Sequence, residues 1–206
     1  MFLPPANEKD IHLVCTHDRY GFNGGVFFIK VDKMSLRILI EMMAVSRTDS
    51  RQDLSIAKDQ SALEVVLQSW EFRGKAAFQP RTWFNALYSN GTFEGQKGDL
   101  LVHFPDPSGN KWSAMDEFLG NVTEGHNEWE MKLSETMYER NVTEYWERIQ
   151  EGRELVKEAQ GQEEDAYVRE ATNRLRLALD HDTDHEEVFN DAIQGVREAL
   201  NFRQSE

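Results

Sequence analysis

The residues of this 206-residue sequence that could do chemistry fall in a few short segments. His103 stands near the end of the apolar run Gly98-Asp-Leu-Leu-Val-His-Phe104. An imidazole there can ligate a metal, although a histidine at a strand end is more often a polar residue with its hydrogen bonds satisfied. Asp59-Gln60 opens a helical pattern, where the helix dipole favours a carboxylate that either caps the helix or faces a ligand. Gly24 and Gly25, in Tyr20-Gly-Phe-Asn-Gly-Gly25, let the backbone turn tightly or approach a ligand closely. Trp83-Phe84-Asn85 offers aromatic faces that either stack on a ligand or fill a core. Asp180-His-Asp-Thr-Asp184 contains Asp-x-Asp but follows helical sequence, and a helix boundary with capping aspartates explains it better than a catalytic metal site.

These segments need elements to hold them. Ile11 to Cys15 and Val26 to Val31 are β-favouring runs, and the glycine-bearing segment between them reads as a tight loop. Ser35 is the expected cap of a helix with Leu36, Leu39, Ile40 and Met43 at the 3.6-residue period, ended by the polar loop SRTDSRQD. A second helix starts near Asp59 with Leu63, Val66, Leu67 and Trp70 on one face. Next come a strand at Lys75 to Phe78, a break at Pro80, a loop marked by Gly91 and Gly95, and a buried strand over Gly98 to Phe104. From about Glu124 the periodicity is helical only. Three apolar stripes appear: Tyr138, Val142, Tyr145, Ile149; then Val168, Ala171, Leu175, Leu179; then Val188, Ile193, Val196, Leu200, with breaks at Gly161 and at Asp180 to Asp184.

Charge divides the chain at the same place. Residues 1–123 carry 13 Lys+Arg against 15 Asp+Glu, whereas residues 124–206 carry 10 against 22, within an overall charge of −14. So acidic a chain is a poor partner for nucleic acid, which needs clustered Lys and Arg. Hydrophobic residues at 39% suffice for a core. Cys15, the single cysteine, excludes an intrachain disulfide. Sequons at Asn90, Asn121 and Asn141 hint at a secretory lumen, while no run of about 18 apolar residues marks a membrane span.

The ordered blocks GFNGGVFFIKVD, AKDQSAL, QPRTWFNALY, GDLLVHF and KWSAMDEFL resemble glycosyltransferase family 34, the fungal and plant group of galactosyl-, mannosyl- and xylosyltransferases. The similarity covers residues 20–119. It implies an α/β fold, specifically the C-terminal half of a GT-A catalytic domain over residues 1–123, with residues 124–206 as an appended acidic helical extension. It implies hexosyl transfer from a nucleoside-diphosphate sugar to a glycan with retention of configuration. Such departure needs a divalent cation, for which manganese suits mixed carboxylate and imidazole ligation.

By the same resemblance His103 is the metal ligand and Asp59 with Gln60 lies near the reacting sugar. Asn23, Gly24 and Gly25 line the sugar site, Trp83 and Asn85 serve the acceptor side, and Lys111 matches the diphosphate-binding lysine. The turn FPDPSGNK after His103 departs from the family's shorter, often cysteine-containing turn. The family's Asp-x-Asp precedes the NGG block, so the carboxylate ligands are expected in an upstream half absent from this chain, and the location is expected to be the Golgi lumen as part of a type II membrane protein. Without that half, the strands of residues 11–31 would expose an edge, covered by the acidic helices, by a partner, or by the lost half. The competing expectation is a non-catalytic transferase-like module that engages a protein partner through its acidic helices. An inverting transferase, with Asp59 or Asp99 as general base, is a third.

Overall fold

The structure is a computed structural model that describes residues 1–48, 58–105, 111–124, 129–162, 164–181 and 183–204. Its centre is the strand β1 (Leu13–Asp18), whose first four residues are all buried. Successive side chains on a strand point to opposite faces, so Leu13 and Cys15 enter one apolar cluster and Val14 enters another. Both faces must therefore be covered, and both are. β1 lies between β2 (Gly21–Ile29), antiparallel to it, and β3 (Ala76–Phe78), parallel to it. The parallel pairing requires a long crossover, which contains α1 (Lys33–Thr48) and α2 (Lys58–Gln68).

These two helices cover the Leu13/Cys15 face. Ile38 of α1 and Leu63, Val66 and Leu67 of α2 pack there with Phe22, Phe72, Ala76 and Phe78. The face of α1 differs from the expected one: Ile38 is fully buried with Met34, Met42 and Val45 beside it, while Leu36, Ile40 and Met43 are exposed. The 3.6-residue period fits both stripes, and contact with the sheet selects between them. The cap also differs. Asp32 Oδ1 accepts the Ser35 N–H at 3.0 Å, so Asp32 caps α1 and Ser35 lies inside its first turn. That backbone hydrogen bond, more than the nearby His12 and Lys30, holds the Asp32 carboxyl down at about 2. Trp70, expected on the buried face of α2, lies beyond the helix end and is exposed.

The helical segment covers the opposite face. α4 (Tyr138–Ala159), α5 (Ala166–His181) and α6 (Glu186–Gln204) form one cluster with Val14, Ala77, Trp83 and Phe84. Two of the three expected stripes are the packing faces; in the third, Phe189 is buried and Val188 is exposed. The segment that joins α5 to α6 is pinned to β3. Thr183 Oγ1 accepts the Phe78 N–H at 2.9 Å and donates to the Phe78 carbonyl at 2.8 Å, and Tyr145 Oη donates to the same carbonyl at 2.9 Å. Asp184 lies 3.2 Å from His17 Nδ1, whose ring stacks on Phe78 at 3.8 Å. Asp184 of the Asp180–Asp184 motif thus joins helices to sheet, and Asp182 lies outside the described residues.

A second sheet orders β5 (Thr92–Phe93), β4 (Ala86–Ser89) and β6 (Val102–His103). β6 is only two residues long and half-buried, shorter than the expected strand over 98–104. Asn90 (φ 53°) and Gly91 (φ 73°) make the turn between β4 and β5. Phe118, from α3 (Lys111–Glu124), packs its ring on Tyr88, Phe93, Phe104 and Trp129. Tyr138 Oη donates to Asp99 Oδ1 at 3.0 Å and accepts the Leu100 N–H at 3.1 Å, tying α4 to the approach of β6. Burial, foremost, pushes that phenol up to about 12. The loop Ser46 to Asp53 and the turn Phe104 to Lys111 fall largely outside the described residues.

Candidate active site

Strand β2 begins at Gly21, so the glycines expected in a loop lie within a strand. Its register against β1 breaks between Thr16↔Asn23 and Val14↔Phe28, so Gly24 to Phe27 bulge opposite Cys15. A bulge bends the strand and frees backbone groups from the ladder. Two side chains meet the backbone there. Gln60 Oε1, from the first turns of α2, accepts the Gly24 N–H at 2.6 Å. His103, at the end of β6, lies so close to Gly25 that a Cβ on residue 25 would overlap the imidazole. The site therefore sits where the two sheets meet, and glycine at position 25 is required by a ring rather than by a backbone angle.

A buried chain of amides fixes this arrangement. Asn85, fully buried just before β4, donates through Nδ2 to Thr16 Oγ1 at 2.8 Å and to Asn23 Oδ1 at 2.9 Å. Asn23 Oδ1 also accepts the Gly25 N–H at 2.8 Å, and Asn23 Nδ2 donates to Asp18 Oδ2 at 2.7 Å. Low dielectric makes such a network rigid when satisfied and costly when broken. Among the described residues, two buried atoms beside it have no hydrogen-bond partner, Asn85 Oδ1 and His103 Nδ1. Polar atoms so placed ordinarily pair, and a ligand group is one way to satisfy them.

His103 is held toward its neutral form. Burial lowers its pKa first, the nearby Arg81 guanidinium lowers it further, and Asp18 opposes both. A neutral imidazole with an unpaired ring nitrogen fits a divalent cation as one ligand. Among the described residues, no group of three His, Cys, Asp or Glu could hold a metal by itself. Arg81 is engaged by Glu94, whose other carboxylate oxygen accepts the Leu87 N–H at 3.1 Å. That pair stiffens β4 beside the imidazole.

Of the residues singled out in the sequence, Asn23, Gly24, Gly25, Gln60, Asn85 and His103 come together. Asp59 is exposed, one residue before Gln60 in the first turn of α2. Lys111 opens α3, exposed, its ammonium 5.4 Å from the Trp112 ring. Trp83 stands apart from this group: it is 5% exposed in the core under the helical face, against Phe2 and Tyr145. Aromatic size and burial there explain its type without a ligand. Sequence reasoning missed Asp18, Thr16, Arg81 and Glu64. Glu64, whose carboxylate occupies the space beside Gly21, had a signal, since it follows Gln60 by four positions and so shares its helix face; the other three had none.

The fold is mixed α/β, and its glycine-bearing end gathers amides, an imidazole and a carboxylate. The class is that of a glycosyltransferase: residues 5–110 match the family model of the galactosyl transferase GMA12/MNN10 family. The chain belongs to that family, and the match takes in every residue of the cluster. No curated protein and no solved structure matches the chain.

Proposed function

We propose that the chain carries the acceptor-side part of a retaining hexosyltransferase of GT-A architecture, which moves a sugar from a nucleoside diphosphate to a glycan hydroxyl. The observation that carries this reading is the convergence of Gln60, the Asn23–Asn85 amides and His103 on the Gly24–Gly25 bulge. The bond that breaks joins the anomeric carbon to a diphosphate oxygen, which keeps the electron pair; the acceptor oxygen bonds to that carbon and gives its proton to the departing diphosphate. Negative charge thus develops on the diphosphate, and the rate depends on groups placed beforehand to receive it. Manganese, when bound, would supply much of that positive charge.

His103 would hold the cation as a neutral imidazole, as one ligand of a set that the described residues do not complete. Gln60, whose Oε1 is committed to Gly24, keeps both amide hydrogens for sugar hydroxyls. Asn23 and Asn85 fix the bulge through their shared hydrogen bonds. Asp59 lies exposed beside Gln60, and Lys111 would reach the diphosphate from the start of α3. Residence in the Golgi lumen, within a type II membrane protein, accords with the exposed sequon asparagines Asn90 and Asn121. No helix among the described residues is long and apolar enough to cross a membrane.

The test is a titration of nucleoside diphosphates, with and without manganese, into the chain and its His103→Ala variant. Manganese-dependent binding that weakens by about tenfold or more in the variant is expected, the usual scale for disturbing a metal site. Equal binding by the two proteins would refute the role of His103.

A further inference from the structure

At the other end of β1 from the candidate active site lies a cleft of about 670 Å³ that takes no part in the proposed transfer. The last residues of β1 deliver Thr16 and Asp18 to the amide chain, whereas at its first residues the Lys75 carbonyl accepts the His12 and Leu13 N–H groups at 2.7 and 3.1 Å. The strand between them spans about 17 Å. Four cations line the cleft: Arg73 and Lys75 on either side of Gly74, Arg153 from α4 and Arg176 from α5. Lys75 lies 3.4 Å from the exposed Asp10, and Arg153 lies 3.0 Å from Glu8 while donating to the Gly74 carbonyl at 3.3 Å. Arg176 donates to Asn173 Oδ1 at 3.2 Å. Asp180 is the other acid on the wall, so even with Glu8 counted four cations face three carboxylates, in a chain of net charge −14. Arg73 is exposed; its Nε donates to the Gln68 carbonyl at 3.2 Å, and its terminal N–H donors have no hydrogen-bond partner among the described residues.

We infer that this cleft binds a phosphate group that carries a proton, as free phosphate or as a monoester. Arginine forks match phosphate oxygens two at a time, and lysine adds a point charge. The exposed Asp10 carboxylate can swing into water and release Lys75 to the ligand. Asp180 sets the selectivity. A carboxylate only accepts hydrogen bonds, so it repels an oxyanion that has no proton and accepts the P–O–H of hydrogen phosphate. Sulfate, alike in shape and fully ionised, is thereby refused. Burial raises the Asp180 carboxyl against the opposing pull of His181, Arg73 and Arg153, which suits it to share that proton.

This site stands apart from the transferase reading, which places its diphosphate at His103. Calorimetry would compare the full chain, Arg73→Ala and Asp180→Asn with inorganic phosphate, a hexose phosphate and sulfate as probes. Flotation with phosphatidylcholine vesicles, with and without phosphatidic acid, would test a lipid monoester. Phosphate should bind the unaltered chain about tenfold more tightly than sulfate, and Arg73→Ala should weaken it about tenfold. Asp180→Asn, which keeps the volume and adds a donor, should bring sulfate level with phosphate. Preference for hexose phosphate or for phosphatidic acid identifies the source of the monoester, and either upholds the cleft. Nucleoside diphosphate with manganese should bind both variants as it binds the unaltered chain. Absent phosphate binding, no loss in Arg73→Ala, or sulfate bound as tightly as phosphate by the unaltered chain would overturn the inference. A parallel loss of nucleotide affinity in Arg73→Ala would merge the two sites and overturn it as well. The expected phosphate pattern in a chain that binds no nucleotide would uphold the cleft and sink the transferase reading.

Discussion

The face of β1 under α4–α6 and the glycine-bearing end of β2 are closed in opposite ways. On the side of α4–α6, volume does the work: Tyr145, Phe84, Phe189, Ile149 and Leu175 are all less than 2% exposed and interlock with Val14 and Ala77. At the β2 end, the approach depends on side chains that are missing, with glycines at 21, 24 and 25 and polar groups laid directly on the backbone. The first arrangement stabilises the sheet. The second places functional groups at fixed positions with little apolar burial to hold them, and relies on the first for its rigidity.

If that contrast holds, substitutions in the helical core should cost stability and those at the bulge should cost binding. The largest effect is expected from Phe189→Ala, which removes a fully buried ring and leaves a cavity. Urea denaturation should show a loss of about 3–5 kcal/mol, with nucleotide affinity retained wherever the protein remains folded. A loss below about 1 kcal/mol would mean that α6 contributes little to the sheet, and the contrast between the helical face and the β2 end would fail.

Gly25→Ala tests the other side. The new methyl group must displace the imidazole, so manganese-dependent nucleotide binding should fall by about 10- to 100-fold while overpacking costs only about 1–3 kcal/mol. Gly120→Ala serves as control, because a Cβ there meets open space. Should Gly25→Ala bind as the unaltered chain does, the close approach of His103 would have no functional weight.

How much of this contrast could be read in the sequence depends on which physical signal each part leaves. The helical face was legible because its stripes repeat every 3.6 residues, and Tyr138 to Ile149 need only one helix to align. The candidate site was legible in parts: Asn23 to Gly25, Gln60, Asn85 and His103 were marked by their motif order, not by spacing that would itself predict contact. α1 was read on the wrong face, since two apolar stripes share one helix and only packing against Leu13 and Cys15 decides between them. Trp83 was ambiguous, because an aromatic suits a sugar and a core alike. Arg81 was illegible, because its approach to His103 depends on the meeting of two sheets that no local pattern encodes.

Between the two regions runs a connection that a milder change can probe. Tyr138, in the first turn of α4, holds Asp99 and the Leu100 N–H and so joins the helical layer to the segment that delivers His103. Tyr138→Phe keeps the ring and removes both bonds, which should cost about 1–2 kcal/mol in thermal or urea unfolding. If the helical face buttresses the site, nucleotide affinity should also drop severalfold. A loss of stability with affinity intact would separate the two regions entirely.

The smallest expected effect is that of pH on His103. Burial lowers its pKa in the folded state below the ordinary 6.5, so the unfolded chain binds this proton more readily than the folded one. Stability from this residue is therefore complete above the ordinary histidine range and declines as pH falls through it toward the folded value. An NMR titration of the imidazole C–H resonances should place His103 below 6.5, the ordinary value. His103→Gln should also flatten the part of the urea midpoint's pH profile due to this residue, between about pH 7.5 and 5.5. A folded value at or above 6.5 would show that Asp18 outweighs burial and Arg81. The site would then present an imidazolium near neutrality, a donor for the diphosphate in place of a metal ligand, and the contrast between the two regions would rest on charge as well as on glycine.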